Sequence, residues 1–343
     1  MPSSIRNRAL VLSGGGGRGA YHVGVLRFLE EHEWLPDIVV GTSIGAVNGA
    51  AIASGHNAFS LWALWRRLRT QDVQRANLNP LNANFLLDTA PLRETLQKGG
   101  WINFDRINSA EAKVHLRVTA TEVKSGHLHV FGNSVDIYPS RMRQETLGLD
   151  HIIASCSIPI VYPVTRLQDN LYWDGATVAN TPLGPAIDAG AEEIVVVLMT
   201  PWEIGEETAV NPPRNLLSSA SMMLEWALLA SFQADLKLFR RINDLIRLEV
   251  ENARLRAINR LLVQKLNGEA VEMVDADGDG VPDIFQGKYH ALPDPMIVAP
   301  RRIIPVEQIV RYKREDHEAL YEMGYQDAQR AWAESGREVE GGG

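Results

Sequence analysis

The sequence predicts an α/β fold, with a mostly parallel central sheet flanked by helices and a long helical insertion. Within the first fifty-five residues, short apolar runs alternate with helical patterns, as is typical of parallel sheets with right-handed crossovers. Residues 192–200 form a further apolar run with the composition of a buried strand. Residues 215–267 contain neither Pro nor Gly and repeat apolar residues at helical spacing, which indicates one very long helix or a helical hairpin.

Local patterns predict the individual elements in order. Apolar runs that end at turn residues predict buried strands, and amphipathic or small-residue runs between them predict helices. The predicted strands are 8–13, 36–43, 112–123, 127–132, 192–200 and 294–303, and the predicted helices are 20–34, 44–55, 59–72, 215–267 and 314–336. We therefore expect an α/β core over 8–205, a helical insertion with an acidic loop over 206–290, a strand and helix that complete the core over 291–335, and a disordered tail over 336–343.

Composition narrows the class of protein. The chain has 343 residues, of which 45% are hydrophobic and 22% charged, so it can bury a sizeable core without disulfides. Its single cysteine, Cys156, excludes an intramolecular disulfide framework. A formal net charge of -8 gives no electrostatic support for nucleic-acid binding. The first residues lack the apolar region of a signal peptide. We expect a cytoplasmic protein, and a peripheral membrane contact is compatible with the sequence. The sequence leaves the oligomeric state open.

A glycine-rich loop follows the first predicted strand. Its sequence, "GGGGRG" at 14–19, satisfies G-x-G-x-x-G between a strand and a helix. Backbone N–H groups at a helix N-terminus attract either a phosphate or a developing oxyanion. A dinucleotide site would have an acidic residue at the end of the second strand, and none is present there. Asp37 lies at the start of that strand, which is the wrong end for binding a ribose. No Lys-Ser or Lys-Thr follows the glycines, which excludes a P-loop. A phosphate- or nucleotide-binding module remains the alternative to an oxyanion hole.

A candidate nucleophile lies in "GTSIG" at 41–45, between the second strand and the second helix. This is the G-x-S-x-G pattern in the strand–turn–helix context of a nucleophile elbow. Side chains at Gly41 and Gly45 would crowd the sharp turn that presents Ser43. The alternative is a serine that caps the helix N-terminus.

A serine nucleophile requires a base. None of the nine histidines lies in a late loop directly after a strand. His290 is the best candidate for a triad, and His22 most simply packs on the first helix.

An Asp-Gly-Ala turn completes a set of motifs. Asp174 and Gly175 lie in "YWDGATVANTP", after the stretch "ASCSIPIVYPV". "GGGGRG", "GTSIGAVNGA", "ASCSIPIVYPV", the D-G-A turn and the closing "MGYQDA" occur in this order. Together they resemble the patatin-like phospholipase family over residues 8–200 and from about 295 onward. The resemblance implies a patatin-like fold, related in its logic to the α/β-hydrolases.

The resemblance also implies a Ser–Asp dyad. Ser43 would be the nucleophile and Asp174 the base. The apolar neighbours Tyr172 and Trp173 would desolvate the carboxylate and so raise the pKa of Asp174. The oxyanion hole would be formed by backbone N–H groups of Gly15, Gly16 and Gly17. Arg18 would anchor the loop or meet a lipid phosphate. The remaining motif residues would support the turns: Gly14, Gly19, Gly41, Gly45 and Gly175.

The implied activity is that of a serine acyl-ester hydrolase of the phospholipase A or lysophospholipase type. Its partner would be a lipid or another acyl-ester substrate, and dyad chemistry requires no cofactor.

An acidic loop, "DADGDGVPD", forms a separate candidate site. Its spacing matches positions of a calcium loop, with ligands at Asp275, Asp277, Asp279, Val281 and Asp283. The twelfth position is Gln286 and not the bidentate Glu. Two interpretations stay open here: a structural calcium ion and a solvated acidic turn.

Overall fold

A computed structural model describes residues 7–78, 85–135, 142–202, 216–268 and 291–336. The chain divides into two compact units, one of Met1–Gln233 with Pro295–Gly343 and the other of Ala234–Asp294. The predicted domain boundaries stay a prediction, because 203–215 and 269–290 lie outside the described residues. The predicted tail falls almost wholly outside them as well.

The first unit contains a mostly parallel sheet, which confirms the predicted fold class. Its strands are β1 (Arg8–Leu12), β2 (Ile38–Thr42), β5 (His115–Glu122), β6 (Leu128–Gly132), β7 (Arg143–Gln144), β8 (Thr165–Leu167), β9 (Asn170–Asp174), β10 (Glu193–Val197) and β11 (Met296–Val298); a separate antiparallel pair consists of β3 (Arg75–Ala76) and β4 (Leu87–Asp88). The strand order of the sheet is β11-β10-β1-β2-β5-β6-β7, and β9 pairs with both β5 and β8. The strands β11, β10, β1, β2 and β5 are mutually parallel, whereas β6 and β9 run antiparallel to β5.

The α-helices of the described residues are α1 (Ala20–Glu31), α2 (Ile44–Ala53), α3 (Ala58–Trp65), α4 (Thr70–Val73), α5 (Ala90–Lys98), α6 (Phe104–Ile107), α7 (Leu149–Ser155), α8 (Gly184–Asp188), α9 (Leu216–Leu266) and α10 (Arg314–Glu334). All of β2 and four of the five residues of β1 are buried, as expected for parallel strands with both faces covered. The long segment is one helix, α9, so the hairpin alternative is wrong. Among the described helices, none combines the length with the hydropathy of a membrane-spanning segment.

The closing helix α10 packs on α1 at a pair of glycines. A Cβ on Gly24 would strike the carbonyl oxygen of Tyr321, and a Cβ on Gly324 would strike that of Tyr21. The two backbones therefore approach at distances that only glycine allows. This contact joins the end of the chain to its first crossover.

The strands β2 and β9 pair with successive parts of β5, so that the end of one lies next to the end of the other. The end of β2 pairs Thr42 with Thr119, and the end of β9 pairs Asp174 with Ala120. Because Thr119 and Ala120 are consecutive, the two strand ends lie side by side. The β8–β9 hairpin that carries Asp174 was not predicted from the sequence.

Candidate active site

Ser43 occupies a strained turn between β2 and α2. Its backbone has φ 56° and ψ −125°, a conformation that residues other than glycine adopt only at a cost in free energy. A Cβ on Gly45 would lie 2.8 Å from the carbonyl oxygen of Ser13, and one on Gly41 would lie 2.6 Å from the nitrogen of Ala46. Both glycines of the motif are thus required by close backbone approach.

A second serine fixes this turn. The N–H of Ser43 donates to Oγ of Ser155, at the end of α7, over 2.8 Å. Ser155 is fully buried, and Ser43 is only 4% exposed. Ser155 belongs to the "ASCSIPIVYPV" stretch, where no local pattern predicts this role. Its hydroxyl gives the strained backbone an acceptor that the helix itself does not provide.

Asp174 ends β9 and caps a short 3-10 helix, Gly175–Thr177. Its Oδ1 accepts the N–H of Ala176 over 2.8 Å. Its own N–H donates to the carbonyl oxygen of Ser157 over 2.9 Å. A Cβ on Gly175 would lie 2.5 Å from Oγ1 of Thr119, which explains the glycine of the D-G-A turn. Hydrogen bonds to neighbouring backbone therefore hold both the main chain and the carboxylate of Asp174.

Burial shifts the acidity of Asp174. The side chain is 2% exposed, and this burial raises the pKa of Asp174 from 3.8 to about 7. Ser43, as a hydrogen-bond donor, and the N–H of Ala176 act in the opposite direction and lower the pKa. Of the two neighbours that were expected to desolvate Asp174, Tyr172 has its hydroxyl 3.0 Å from Nδ1 of His129. A carboxylate with a pKa near 7 is suited to accept a proton at neutral pH.

The glycine-rich loop reaches the nucleophile at Gly14. A Cβ on Gly14 would lie 3.0 Å from Cβ of Ser43, and the Gly14 N–H donates to Oδ1 of Asn180 over 2.8 Å. Gly15 precedes a 3-10 helix, Gly16–Gly19, and its carbonyl oxygen accepts the first bond of that helix. The N–H groups of Gly16 and Gly17 are the first of the helix and have no acceptor within it. The structure thus brings the predicted loop to the predicted serine.

The rear of this loop explains why its glycines are consecutive. A Cβ on Gly16 would strike the carbonyl oxygen of Ile309, and one on Gly17 would strike those of Gln308 and Arg311. A Cβ on Gly15 would strike the sulfur of Met199, and one on Gly19 would lie 2.6 Å from a side-chain carbon of Ile44. The chain segment 308–311 therefore covers the loop. This segment was not predicted from the sequence, because no local pattern connects it with a loop at the start of the chain.

Asn48 joins the loop to the helix that follows Ser43. Its amide donates to the carbonyl oxygen of Gly19 and accepts from Nε1 of Trp65, each over 2.9 Å. The amide nitrogen also lies 3.2 Å from Nδ1 of His22. Burial lowers the pKa of His22 to about 3, so this histidine is neutral and packs in the core. Arg18 is 2% exposed, which favours its role as an anchor of the loop.

Gln74 and Tyr162 connect the surroundings of Asp174 with segment 308–311, which covers the glycine loop. The Tyr162 hydroxyl donates to Oε1 of Gln74, and Nε2 of Gln74 donates to the carbonyl oxygen of Val310 over 2.6 Å. Burial and then the charges of Cys156 and Asp174 raise the pKa of Tyr162. This contact links the surroundings of Asp174 to the segment that covers the glycine loop, and sequence analysis did not find it.

The remaining sequence-predicted candidates fall outside the described residues. They are His290 and the acidic loop with Asp275, Asp277, Asp279, Val281 and Asp283. Within the described ranges, no cluster of three or more His, Cys, Asp or Glu side chains could hold a metal ion.

Comparison with known proteins gives a consistent family. The model of the patatin-like phospholipase family matches residues 10–187. Lysophospholipase NTE1 of Scheffersomyces stipitis is 26% identical over 190 residues, which cover 55% of this chain and 11% of that protein. Patatin-like phospholipase domain-containing protein 7 of Rattus norvegicus is 30% identical over 194 residues, 55% of this chain and 13% of that protein. The chain therefore spans a small fraction of the length of these relatives.

Among solved structures, VipD from Legionella pneumophila aligns with a TM-score of 0.44 and 14% sequence identity, covering 97% of this chain and 68% of that one. The family model matches more than half of the chain, and its residues include the glycine loop, Ser43 and Asp174. This chain belongs to the patatin-like phospholipase family.

Proposed function

We propose that the protein is a serine acyl-ester hydrolase of lipids, of the phospholipase A or lysophospholipase type. The observation that carries this proposal is the placement of a buried carboxylate, Asp174, beside Ser43, where β2 and β9 end against Thr119 and Ala120 of β5. Burial raises the pKa of Asp174 to about 7. A serine on a strained strand-to-helix turn next to such a base is suited to acyl transfer. The family and the names of its relatives support a lipid substrate.

The proposed reaction uses Ser43 and Asp174 in two steps. Ionised Asp174 takes the proton of the Ser43 hydroxyl as Oγ attacks the ester carbonyl carbon. The tetrahedral intermediate then collapses, the alcohol leaves with the proton from Asp174, and an acyl-serine remains. Water attacks the acyl-serine with Asp174 again as base, which releases the fatty acid and restores Ser43.

The glycine loop stabilises the negative charge in this proposal. The oxygen of the tetrahedral intermediate accepts hydrogen bonds from N–H groups of Gly15, Gly16 and Gly17. Donors fixed before the reaction stabilise such a charge without reorganisation, and one donor is worth about 3 kcal/mol. Backbone carbonyls of segment 308–311 approach the loop so closely that Gly16 and Gly17 have no room for a Cβ, which supports a fixed position of these donors.

The proposal extends to cofactors and location. The dyad requires no metal or organic cofactor, and the substrate is the only partner that the chemistry needs. We place the protein in the cytoplasm, with a peripheral contact to the membrane that holds its substrate. A structural calcium ion in the acidic loop is a separate proposal. A rise in melting temperature with added calcium would support it.

The test compares the wild type with Ser43→Ala and Asp174→Asn on p-nitrophenyl esters and on lysophospholipids. Ser54→Ala is the matched control, since Ser54 lies at the opposite end of the same helix and its hydroxyl donates to Ala50. Both dyad variants should lose at least about 1,000-fold in kcat, and the control should stay close to the wild type. All four proteins are first compared by circular dichroism.

The pH profile provides a second readout. Asp174 must be ionised to act as base, so the wild-type rate should fall as the pH drops through about 7. Retained esterase activity in folded Ser43→Ala would overturn the proposal. Loss with Ser43 alone would indicate another base, and tight nucleotide binding without ester turnover would favour the phosphate-binding alternative.

A further inference from the structure

The long helix α9 carries an exposed row of leucines in the second unit. Their exposed fractions range from 49% at Leu255 to 86% at Leu266. The row consists of Leu238, Leu245, Leu248, Leu255, Leu262 and Leu266. Large apolar side chains exposed in one continuous stripe are typical of an interaction surface.

The spacing of these leucines is that of a coiled coil. From Leu245 to Leu266 the steps alternate between three and four residues once Asn252 and Asn259 are included. Leu245, Asn252, Asn259 and Leu266 then occupy heptad position a, and Leu248, Leu255 and Leu262 occupy position d. Leu238 extends the pattern one heptad earlier, where Arg241 takes position d. A seam sustained over three to four heptads indicates supercoiling with a partner helix.

The opposite face of the helix is already occupied within the unit. Asn243 and Ala257 are each 3% exposed and fall at heptad position f, away from the leucine row. The amide of Asn243 donates to the carbonyl oxygen of Leu292 over 2.9 Å and accepts the Leu292 N–H over 3.1 Å. The helix therefore packs on its own chain with one face and exposes a second apolar face.

We propose that the leucine row is a homodimer interface, in which α9 pairs in parallel and in register with α9 of a second copy of this chain. Asparagine at position a specifies register and favours two strands, because Asn pairs with its own copy across the seam. In this arrangement Asn252 meets Asn252 of the other copy, and Asn259 does the same.

Flanking charges support the same pairing. In a parallel dimer, position g of one helix faces position e of the next heptad in the other helix. Glu251 then faces Arg256 of the second copy, and symmetry provides this ion pair twice. Ile258 faces Val263, which is 56% exposed, and extends the apolar seam. Asp244 faces Glu249, a pair of like charges at the edge of the interface.

The test measures the oligomeric state of the full chain by sedimentation equilibrium at micromolar concentrations. The wild type should be a dimer, and Leu248→Glu/Leu255→Glu should weaken the dimer at least ~100-fold, because four leucines lose their apolar contacts. Leu35→Glu is the matched control: Leu35 is 60% exposed and Leu248 61%, but Leu35 lies outside the seam. Circular dichroism checks that each variant is folded.

A charge swap tests the partner and the register. Arg256→Glu places like charges opposite each other and should weaken the dimer about tenfold, and Glu251→Arg/Arg256→Glu should restore it to within about threefold. A monomeric wild type would overturn the proposal, as would a dimer that the leucine variant leaves intact or a swap that restores nothing. A monomer that floats with phospholipid vesicles, and ceases to float in the leucine variant, would assign the row to a membrane instead. None of these outcomes depends on the hydrolase proposal.

Discussion

Ser43 and Asp174 lie at adjacent strand ends beside β5, yet the protein places them by different means. Ser43 has a positive φ of 56° on a turn where neighbouring glycines have no room for a Cβ. Asp174 has an ordinary backbone, φ −49° and ψ 136°, and burial is the largest cause of its raised pKa. The position of the serine is thus set by local backbone geometry, and the basicity of the aspartate by the surrounding fold.

Gly45→Ala should have the largest effect, since it acts on the local geometry directly. The new Cβ would lie 2.8 Å from the carbonyl oxygen of Ser13 and press on that of Leu12. Because both obstacles are backbone of β1 and its turn, neither can move away without disturbing the sheet. We expect a loss of ~4 kcal/mol or more in the free energy of unfolding, measured by urea denaturation.

Gly184→Ala is the control for this substitution. No atom lies within 4 Å of a Cβ on Gly184, at the start of α8, so alanine should change stability by less than ~1 kcal/mol. Equal stability of the two variants would contradict a sterically closed turn at Ser43.

Asp174→Asn tests whether burial sets the properties of the base. The pKa of Asp174 is raised from 3.8 to about 7, so between these values the folded protein keeps a proton that the unfolded chain releases. The wild type should therefore lose stability as the pH rises through this window. Asparagine stays neutral, so the variant should gain on the wild type by on the order of 3 kcal/mol between pH 4 and pH 8.

Denaturant melts at both pH values give this difference directly. Parallel pH dependence in the two proteins would show that the carboxylate is not desolvated. Asp37→Asn is a useful comparison, because Asp37 accepts the N–H of Arg8 over 2.9 Å at the opposite end of β2.

Ser155→Ala should have an intermediate effect, which acts on the turn that holds Ser43. It removes the acceptor of the Ser43 N–H, and an unsatisfied buried donor costs about 1–3 kcal/mol. We expect kcat to fall about tenfold with little change in KM, because the nucleophile loses its orientation and the substrate loses no contact. Ser157→Ala is the control, since that hydroxyl bonds to Ile153 and Thr165. Equal kcat losses in the two variants would remove the special role of Ser155.

The same contrast explains what the sequence could predict. The elbow glycines, the glycine loop and the parallel strands follow from local steric demands and hydrophobic periodicity, so their residues were found without the structure. Ser155, Asn180, Gln74 and segment 308–311 contact the site only through the tertiary fold, and no pattern near them in sequence indicates this. The raised pKa of Asp174 was expected from its apolar neighbours Tyr172 and Trp173, and burial is its largest cause in the structure.

The smallest predicted effect separates strain from chemistry at Ser43 itself. Ser43→Gly and Ser43→Ala both remove the nucleophile, but only glycine adopts φ 56° with ψ −125° without strain. Ser43→Gly should therefore be more stable than Ser43→Ala by about 1 kcal/mol, as measured by urea denaturation. At Ser54, where φ is −75° and ψ −7°, the order should reverse, because glycine gains nothing there and loses more conformational entropy on folding. If alanine were the more stable substitution at both positions, the elbow would hold its serine without strain, and the distinction between a backbone-placed nucleophile and a burial-tuned base would fail.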